Sequence, residues 1–384
     1  MGNIIDYLIW RGDIFLKNNF NQIDALILAR LSYLIFYKID FAEDNIENTY
    51  NQMKNIPLCD YRCSDDKKLI QELSQSRRFK DMVISDYIKI DDKKLEKQFV
   101  AITIHLSNKE LFISFMGTDN SINGWKDDFN MSFMDNVSCQ IEGRKYLNMI
   151  ANKYPNKKIY LGGHSKGGNI SIYSFITSSD EIKDRIIRVY NYDGPGFSKN
   201  IISEYYDKKT FSKIISYIPE SSIVGRMLDH AGDVRIVKSS KKSIMAHNVY
   251  SWNIIRNDFV YVNKNTSMSE DIDRTITEWL ENTTEDKRKI FVNTIFEILS
   301  STEVDTFKDI IKSASISIPK LLKKYSNVPK DDKKVISEMI SLFVKEYANI
   351  FGIRNKIKFD IIKNEYKIKS KEKLMELEKK LIKK

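Results

Sequence analysis

One serine in the sequence lies in a setting suited to nucleophilic chemistry. Residues 163–167 read Gly-His-Ser-Lys-Gly, a G-x-S-x-G pattern, with an apolar run at 158–161 before it and a helix-like stretch at 167–179 after it. This order predicts a strand, a sharp turn and a helix, with the Ser165 oxygen projecting above a sheet. The flanking glycines permit a tight backbone approach, and the helix N-terminus offers free N–H groups to a developing oxyanion. The pattern therefore favours Ser165 as a nucleophile over a purely structural glycine turn.

A serine nucleophile needs a base, and the chain has four histidines from which to choose it. His105 lies in a predicted strand before the serine, and His164 is the immediate neighbour of the serine. The usual chain order on this kind of turn is serine, acid, histidine, with the histidine on a loop after the last strand. His230 precedes the last predicted strand, 234–237, whereas His247 follows it by ten residues. The spacing therefore favours His247 as the general base.

Two carboxylates are candidates for the group that orients this histidine. Asp193 directly follows the predicted strand 187–192, and Glu220 follows the predicted strand 214–218. Either carboxylate could hold the imidazole and stabilise the imidazolium. A purely structural role for Asp193, capping the Gly-Pro turn that comes after it, is the alternative. We expect Asp193 to be the acid and keep Glu220 as the second candidate.

An oxyanion formed by attack of the serine would need two hydrogen-bond donors. The main-chain N–H of Lys166, at the start of the predicted helix, is one candidate. The second is Thr118, through its N–H and hydroxyl, because Phe-Met-Gly-Thr-Asp at 115–119 ends another predicted strand. Thr118 and Lys166 are therefore the predicted oxyanion hole.

The elements that must position these residues alternate between strand and helix. A hairpin of two strands comes first, turning near residues 108–109, and strands separated by helices follow, which indicates a mostly parallel sheet with both faces covered. This is an α/β architecture of the α/β-hydrolase type. Strands are predicted at 99–106, 111–116, 158–161, 187–192, 214–218 and 234–237, and helices at 140–153 and 167–179.

The domain plan has three parts. Residues 1–85 are predicted to be a helical segment that packs on the core, residues 86–264 the α/β-hydrolase core, and residues 265–384 a helical extension with a basic tail. The tail, residues 365–384, holds eight Lys and four Glu and so supplies four of the ten net positive charges. We interpret it as a solvated helix rather than a nucleic-acid or anionic-membrane contact.

Composition excludes several other classes of protein. The chain has 384 residues, 42% of them apolar, with 20 Phe and 20 Tyr, which is typical of a globular protein and not of a disordered one. Three cysteines without paired C-x-x-C motifs argue against a disulfide scaffold or a zinc module. No apolar run is long enough for a transmembrane helix. We expect a cytoplasmic protein without metal or organic cofactor and without a nucleic-acid partner; peripheral membrane contact stays open.

Several motifs together resemble one protein family. They are Gly-Gly-His-Ser-Lys-Gly-Gly-Asn at 162–169, Asp-Gly-Pro-Gly-Phe at 193–197, Pro-Glu-Ser-Ser-Ile-Val-Gly at 219–225, His-Asn-Val-Tyr-Ser-Trp at 247–252, and, nearer the N-terminus, residues 6–12 and 31–33. The combination is similar to the Mbeg-like family of bacterial proteins, which is itself similar to the class 3 lipases. The resemblance covers most of residues 1–300.

The resemblance implies an α/β-hydrolase fold and lipase or esterase activity. Matched to class 3 lipases, Ser165 takes the place of the nucleophile, Thr118 that of the oxyanion residue in their F-R-G-T motif, and His247 that of the base. Two residues depart from the pattern: Met116 stands where those lipases usually have Arg, and Ser222 stands where their catalytic Asp precedes Ile-Val. The acid must therefore come from elsewhere, and a site after the earlier strand, as in pancreatic-type lipases, favours Asp193.

The leading hypothesis is a serine hydrolase that cleaves carboxylic esters, small or lipid-like, through an acyl-enzyme intermediate. The preference for esters over peptides rests on family analogy alone. The alternative is an inactive hydrolase fold that serves as a protein-interaction module through the helical extension at 265–384. An intact serine and a suitably spaced histidine argue against that alternative.

Overall fold

The computed structural model describes residues 2–10, 19–92, 97–118, 126, 130–131, 136–263, 266–302 and 313–350. The chain forms two compact units. The first contains residues 1–118 and 135–269, and the second contains residues 119–134 and 270–384. The basic tail at 365–384 lies outside the described residues.

The helices, in chain order, are α1 (Ile4–Trp10), α2 (Gln22–Leu31), α3 (Ile46–Met53), α4 (Ser64–Gln75), α5 (Ser138–Lys153), α6 (Lys166–Ile176), α7 (Asp180–Arg185), α8 (Lys199–Tyr205), α9 (Lys208–Phe211), α10 (Ser267–Glu281), α11 (Glu285–Ser300), α12 (Ala314–Asn327) and α13 (Lys330–Ile350). The strands are β1 (Asp44–Asn45), β2 (Val83–Asp92), β3 (Lys97–His105), β4 (Glu110–Phe115), β5 (Lys158–His164), β6 (Ile186–Tyr192), β7 (Ile214–Pro219), β8 (Asp233–Val237), β9 (Ile254–Ile255) and β10 (Asp258–Phe259).

The first unit is built on an eight-stranded sheet whose strands lie side by side in chain order, from β1 to β8. The strands from β1 to β4 pair antiparallel, and those from β4 to β8 pair parallel. The mostly parallel, α/β-hydrolase-type sheet that the sequence predicts is thereby confirmed. Because parallel strands end at one edge of a sheet, the carboxyl ends of β4 to β7 bring their loops together there.

Helices cover both faces of this sheet. Side chains alternate between the two faces along a strand. The Ser114 hydroxyl of β4 donates to the Ala29 carbonyl of α2, while the next side chain, Phe115, has its ring 6.0 Å from that of Tyr146 on α5. Strands that follow one another in a single direction with right-handed crossovers place their helices on one face. The α2 helix therefore closes the face opposite α5 and α6.

The α2 helix is buried along nearly its whole length, which explains why its sequence is apolar on every side. Asn21 caps its first turn, since the side-chain oxygen accepts from the N–H groups of Ile23 and Asp24. The Asp24 carboxylate is buried with Arg78, whose guanidinium donates to both carboxylate oxygens. This pairing satisfies a charge that would otherwise be costly to bury.

Each strand predicted after residue 98 is present, with every end but one within two residues of its prediction. The β5 strand runs on to His164, three residues past its predicted end, because Gly162 and Gly163 remove the apolar signal that marks a strand. The segment at 1–85 is not helical throughout: β1 lies within it, and β2 begins at Val83. A register shift between Ser85 and Ile88 breaks the alternation of β2, which hides the strand from a period-two pattern.

Helices α10 to α13 make up most of the described residues of the second unit. Its small apolar core contains Val292 and Phe296 of α11. The Trp279 indole donates to the Met339 carbonyl at 2.9 Å, which links α10 to α13. Within the described residues, no helix is both long enough and apolar enough to span a membrane.

Candidate active site

Ser165 lies at the turn between β5 and α6, and its backbone is strained. Its φ is +59° and its ψ is −136°, a conformation that L-residues with a side chain rarely adopt. The Ser165 N–H donates to the Tyr192 carbonyl at 2.9 Å, which ties the turn to the neighbouring strand β6. The turn also needs its glycines: a Cβ on Gly163 would lie 2.2 Å from the carbonyl carbon of Gly167, and a Cβ on Gly167 would lie 2.1 Å from the Phe115 oxygen.

The structure brings His247 and Asp193 together. His247 Nδ1 lies 2.8 Å from Asp193 Oδ2, the Asp193 side chain is fully buried, and the His247 side chain is 20% exposed. Because a carboxylate only accepts hydrogen bonds, this contact places the proton of a neutral imidazole on Nδ1 and its lone pair on Nε2. The other carboxylate oxygen, Oδ1, accepts from the Ser222 hydroxyl at 2.6 Å. The imidazole is therefore oriented as a general base requires.

The loop after β6 holds Asp193 in place. Asp193 has a φ of +54°, and its N–H donates to the Tyr217 carbonyl at 2.9 Å. The Asn191 side chain binds the residue after Asp193: it accepts from the Gly194 N–H and donates to the Gly194 carbonyl. The same Asn191 amide donates to the Ser216 hydroxyl on β7. These bonds stabilise, at an aspartate, a backbone conformation that favours glycine.

The remaining candidates make other contacts. Among the described residues, the hydrogen bonds of Glu220 all involve its main chain. His230 Nε2 lies 2.6 Å from the Gly225 carbonyl oxygen. His105 lies between the Ser85 hydroxyl and the Lys157 ammonium, at 2.8 Å and 3.0 Å. Within the described part of the chain, Asp193 is the only residue whose carboxylate contacts His247.

The end of β4 passes directly beside Ser165. A Cβ on Gly117 would lie 2.9 Å from Ser165 Cβ and 2.4 Å from the His164 carbonyl oxygen. This close approach brings Thr118, which is buried, next to the turn. The Arg62 guanidinium donates to the Thr118 carbonyl at 2.5 Å and so fixes the peptide that follows Thr118.

Lys166 is the first residue of α6. Its side chain is 1% exposed, and its ammonium donates to Gln98 Oε1 at 3.3 Å. Gly117 thus lies against Ser165 and Lys166 follows it, while the oxyanion role of Thr118 and Lys166 stays a prediction.

Sequence reasoning missed three residues that contact this site. Ser222 supports the carboxylate of Asp193. Tyr33 donates from its hydroxyl to the His164 carbonyl at 3.0 Å, and His164 Nε2 donates to the His247 carbonyl at 2.8 Å. Burial, together with the His247 ring and the charge of Arg30, lowers the pKa of His164 well below its usual range. Tyr33 and Ser222 stood in the family motifs, but only the fold indicates what they touch.

No group of three or more potential metal-ligating side chains occurs among the described residues.

A family comparison agrees with the motifs at this site. The sequence profile of the Mbeg1-like family matches residues 73–297, which include β2 to β8 and the turn with Ser165. The chain belongs to the Mbeg1-like family. A search of curated proteins finds no significant match to this Mbeg1-like chain.

Among solved structures, the Mbeg1-like chain is similar to three fungal lipases. Lipase II from Rhizopus niveus is 13% identical over 56% of this chain and 78% of its own, with a TM-score of 0.36. The native Rhizomucor miehei lipase propeptide complex is 16% identical over 56% and 67%, with a TM-score of 0.35. The Lip2 lipase from Yarrowia lipolytica is 12% identical over 48% and 72%, with a TM-score of 0.31.

Proposed function

We propose that this chain is a serine hydrolase that cleaves carboxylic esters through an acyl-enzyme on Ser165. The observation that carries the proposal is the hydrogen bond between His247 Nδ1 and Asp193 Oδ2, at the sheet edge where the serine forms its strained turn. The contact from His164 to the His247 carbonyl supports it, because it links the base to the residue before the nucleophile. A serine, a base and an orienting carboxylate are the parts that acyl transfer needs.

In the proposed reaction, Ser165 Oγ attacks the ester carbonyl carbon while His247 Nε2 accepts the hydroxyl proton. The buried Asp193 carboxylate stabilises the imidazolium that forms. The tetrahedral oxyanion accepts hydrogen bonds from the N–H groups of Thr118 and Lys166. His247 then returns the proton to the leaving alkoxide, the carbon–oxygen bond to the alcohol breaks, and the acyl group stays on the serine.

Water completes the proposed cycle. His247 takes a proton from water as its oxygen attacks the acyl carbonyl, and the same proton restores the Ser165 hydroxyl as the acid departs. One ester and one water therefore give one alcohol and one acid. We propose small or lipid-like esters as substrates, on the strength of the motifs shared with class 3 lipases. The cytoplasmic location expected from the sequence stays a prediction.

Hydrolysis of p-nitrophenyl esters of increasing chain length tests the proposed function. We expect turnover by the wild-type protein and its loss in Ser165→Ala. Ser203→Ala is the matched control, because Ser203 is an exposed serine on α8. The alternative function, an inactive fold that binds a partner protein, requires instead that no ester in the series is hydrolysed faster by the wild-type protein than by Ser165→Ala.

A further inference from the structure

Two buried side chains, Tyr33 and His164, connect the three chain segments of the proposed site. The Tyr33 hydroxyl accepts from the Gly117 N–H at 3.0 Å, at the end of β4. The same hydroxyl lies 3.0 Å from the His164 carbonyl oxygen and 3.2 Å from His164 Nδ1, at the turn of the nucleophile. His164 Nε2 reaches the His247 carbonyl at 2.8 Å, on the loop of the base. Tyr33 and His247 are 214 residues apart in the chain.

The direction of these hydrogen bonds follows from the acceptors. The His247 carbonyl only accepts, so His164 Nε2 must carry the ring proton and Nδ1 is left as an acceptor. The Tyr33 hydroxyl accepts from the Gly117 N–H and gives its single proton to either acceptor on His164. This assignment holds for a neutral His164 ring, and the Tyr33 proton then serves only one of the two His164 acceptors, Nδ1 or the carbonyl oxygen. The lowered pKa of His164 is consistent with a neutral ring at physiological pH.

Packing holds both rings where they are. The His164 ring lies against the His247 ring, with centroids 4.4 Å apart and an angle of 35° between the planes. The Arg30 guanidinium lies 4.0 Å from the centroid of the Tyr33 ring, and it is itself paired with Asp66 at 2.7 Å and 2.8 Å. A cation over an aromatic ring attracts it, and the attraction strengthens where water is excluded. The buried ion pair of Arg30 and Asp66 therefore helps to hold the Tyr33 ring in place.

We propose that Tyr33 and His164 are positioning residues that hold the oxyanion segment, the nucleophile turn and the base loop in one reactive arrangement. This inference rests on the proposed function. Neither side chain is assigned a contact with substrate: Tyr33 acts through the Gly117 main chain, and His164 acts through the His247 main chain. Acyl transfer is sensitive to such placement, since a shift of about 1 Å in a reacting group can cost on the order of 100-fold in rate.

The test measures the second-order rate constant for labelling of Ser165 by a fluorophosphonate probe. In this reaction the Ser165 oxygen bonds to phosphorus, fluoride leaves, and His247 takes the proton. We expect His164→Leu to lower the rate constant by about 100-fold and Tyr33→Phe to lower it by at least about tenfold. We expect His164→Gln to recover at least about tenfold over His164→Leu, because its side-chain amide can still donate to the His247 carbonyl.

A matched control distinguishes the effect of losing any buried tyrosine hydroxyl from the effect of losing the Tyr33 hydroxyl. Tyr146 is buried on α5, and its hydroxyl bonds to the Thr103 hydroxyl and the Asp86 carbonyl at 2.9 Å and 2.8 Å. Tyr146→Phe is expected to lower the melting temperature about as much as Tyr33→Phe while leaving the labelling rate unchanged. If His164→Leu fails to fold, Tyr33→Phe and its control carry the test without it.

Hydrogen exchange gives a second readout that does not depend on chemistry. We expect faster exchange of peptide 110–118 in Tyr33→Phe and of peptide 243–252 in His164→Leu. Labelling that requires Ser165 but proceeds at the wild-type rate in both variants overturns this inference alone. Equal losses in His164→Leu and His164→Gln do the same, because they indicate general packing. A wild-type protein that is not labelled overturns the proposed function and, with it, the positioning role.

Discussion

The Ser222 hydroxyl donates to Asp193 Oδ1 at 2.6 Å, while Oδ2 of the same carboxylate meets His247. In the motifs shared with class 3 lipases, position 222 is where the catalytic aspartate stands. The residue at that position thus contacts the carboxylate that we propose has taken over its role. The two positions follow the ends of neighbouring strands, β6 and β7, at the same edge of the sheet.

The proposed acid can be tested by removing each candidate carboxylate in turn. Asp193→Asn is expected to lower kcat by about 10⁴, because the imidazole loses the acceptor that fixes its tautomer. Glu220→Gln is the matched control and is expected to retain kcat within about tenfold, a change of about 1.4 kcal/mol in the barrier. Steady-state hydrolysis of p-nitrophenyl butyrate measures kcat for both variants, and the melting temperature of each variant reports its stability. A large loss in Glu220→Gln and a small one in Asp193→Asn would move the acid to β7.

Ser222→Ala should impair the acid without removing it. The buried Asp193 carboxylate would lose a charge-assisted hydrogen bond worth about 1.5–3 kcal/mol, so we expect a lower free energy of unfolding and a fall in kcat of at least about tenfold. The preceding residue, Ser221, is the control, since its hydroxyl is buried without a hydrogen-bond partner among the described residues. Ser221→Ala should be neutral or stabilising in urea unfolding. Equal effects of the two substitutions would show that the Ser222 hydrogen bond adds nothing.

The two positions should also exchange roles. In Asp193→Asn the base has lost its carboxylate, and adding Ser222→Asp supplies one from the position that class 3 lipases use. We expect the double variant to recover at least about tenfold of the kcat lost in Asp193→Asn, a gain of about 1.4 kcal/mol. Ser222→Asp alone should lower kcat, because two carboxylates would then compete for one buried site. No recovery in the double variant would indicate that the loop after β7 does not carry a side chain to His247.

Stability is expected to fall as the pH drops from about 7 to about 5. Burial lowers the pKa of His164 and of His105, with the His247 ring and Arg30 contributing at His164 and Lys157 at His105. Between these lowered values and the usual value of 6.5, the unfolded chain binds more protons than the folded one. The free energy of unfolding therefore decreases as the pH falls through this window, and the decrease should be shallower in His164→Gln. Urea unfolding at several pH values across this range measures the free energy of unfolding. A value that stays level or rises toward pH 5 would contradict the prediction.

Local sequence patterns were enough to predict the parts of the structure that depend on residues adjacent in the chain. The turn at Ser165 was predictable because its glycines, its apolar strand and its helix are contiguous in the sequence. The end of β6 was predictable for the same reason, so Asp193 could be named as a candidate. The β2 strand was missed because an irregular register between Ser85 and Ile88 interrupts its alternation.

Contacts that join distant parts of the chain could not be predicted from one sequence. Tyr33 reaches His164 across 131 residues, and nothing in the residues near Tyr33 distinguishes it from a core tyrosine. The choice between Asp193 and Glu220 likewise depends on which strand end faces the loop of His247. That choice is a matter of strand order and side-chain direction, which spacing along the chain does not encode.

The most direct test of the account is to locate the phosphonyl group after reaction with a fluorophosphonate. The wild-type protein is allowed to react, is digested, and is analysed by tandem mass spectrometry for the modified residue. We expect one phosphonyl group per chain, on Ser165 within the peptide that spans β5 and α6, and none on Ser165→Ala. A wild-type protein that remains unmodified, or a modification on any other residue that persists in Ser165→Ala, would contradict the proposal that Ser165 is the nucleophile.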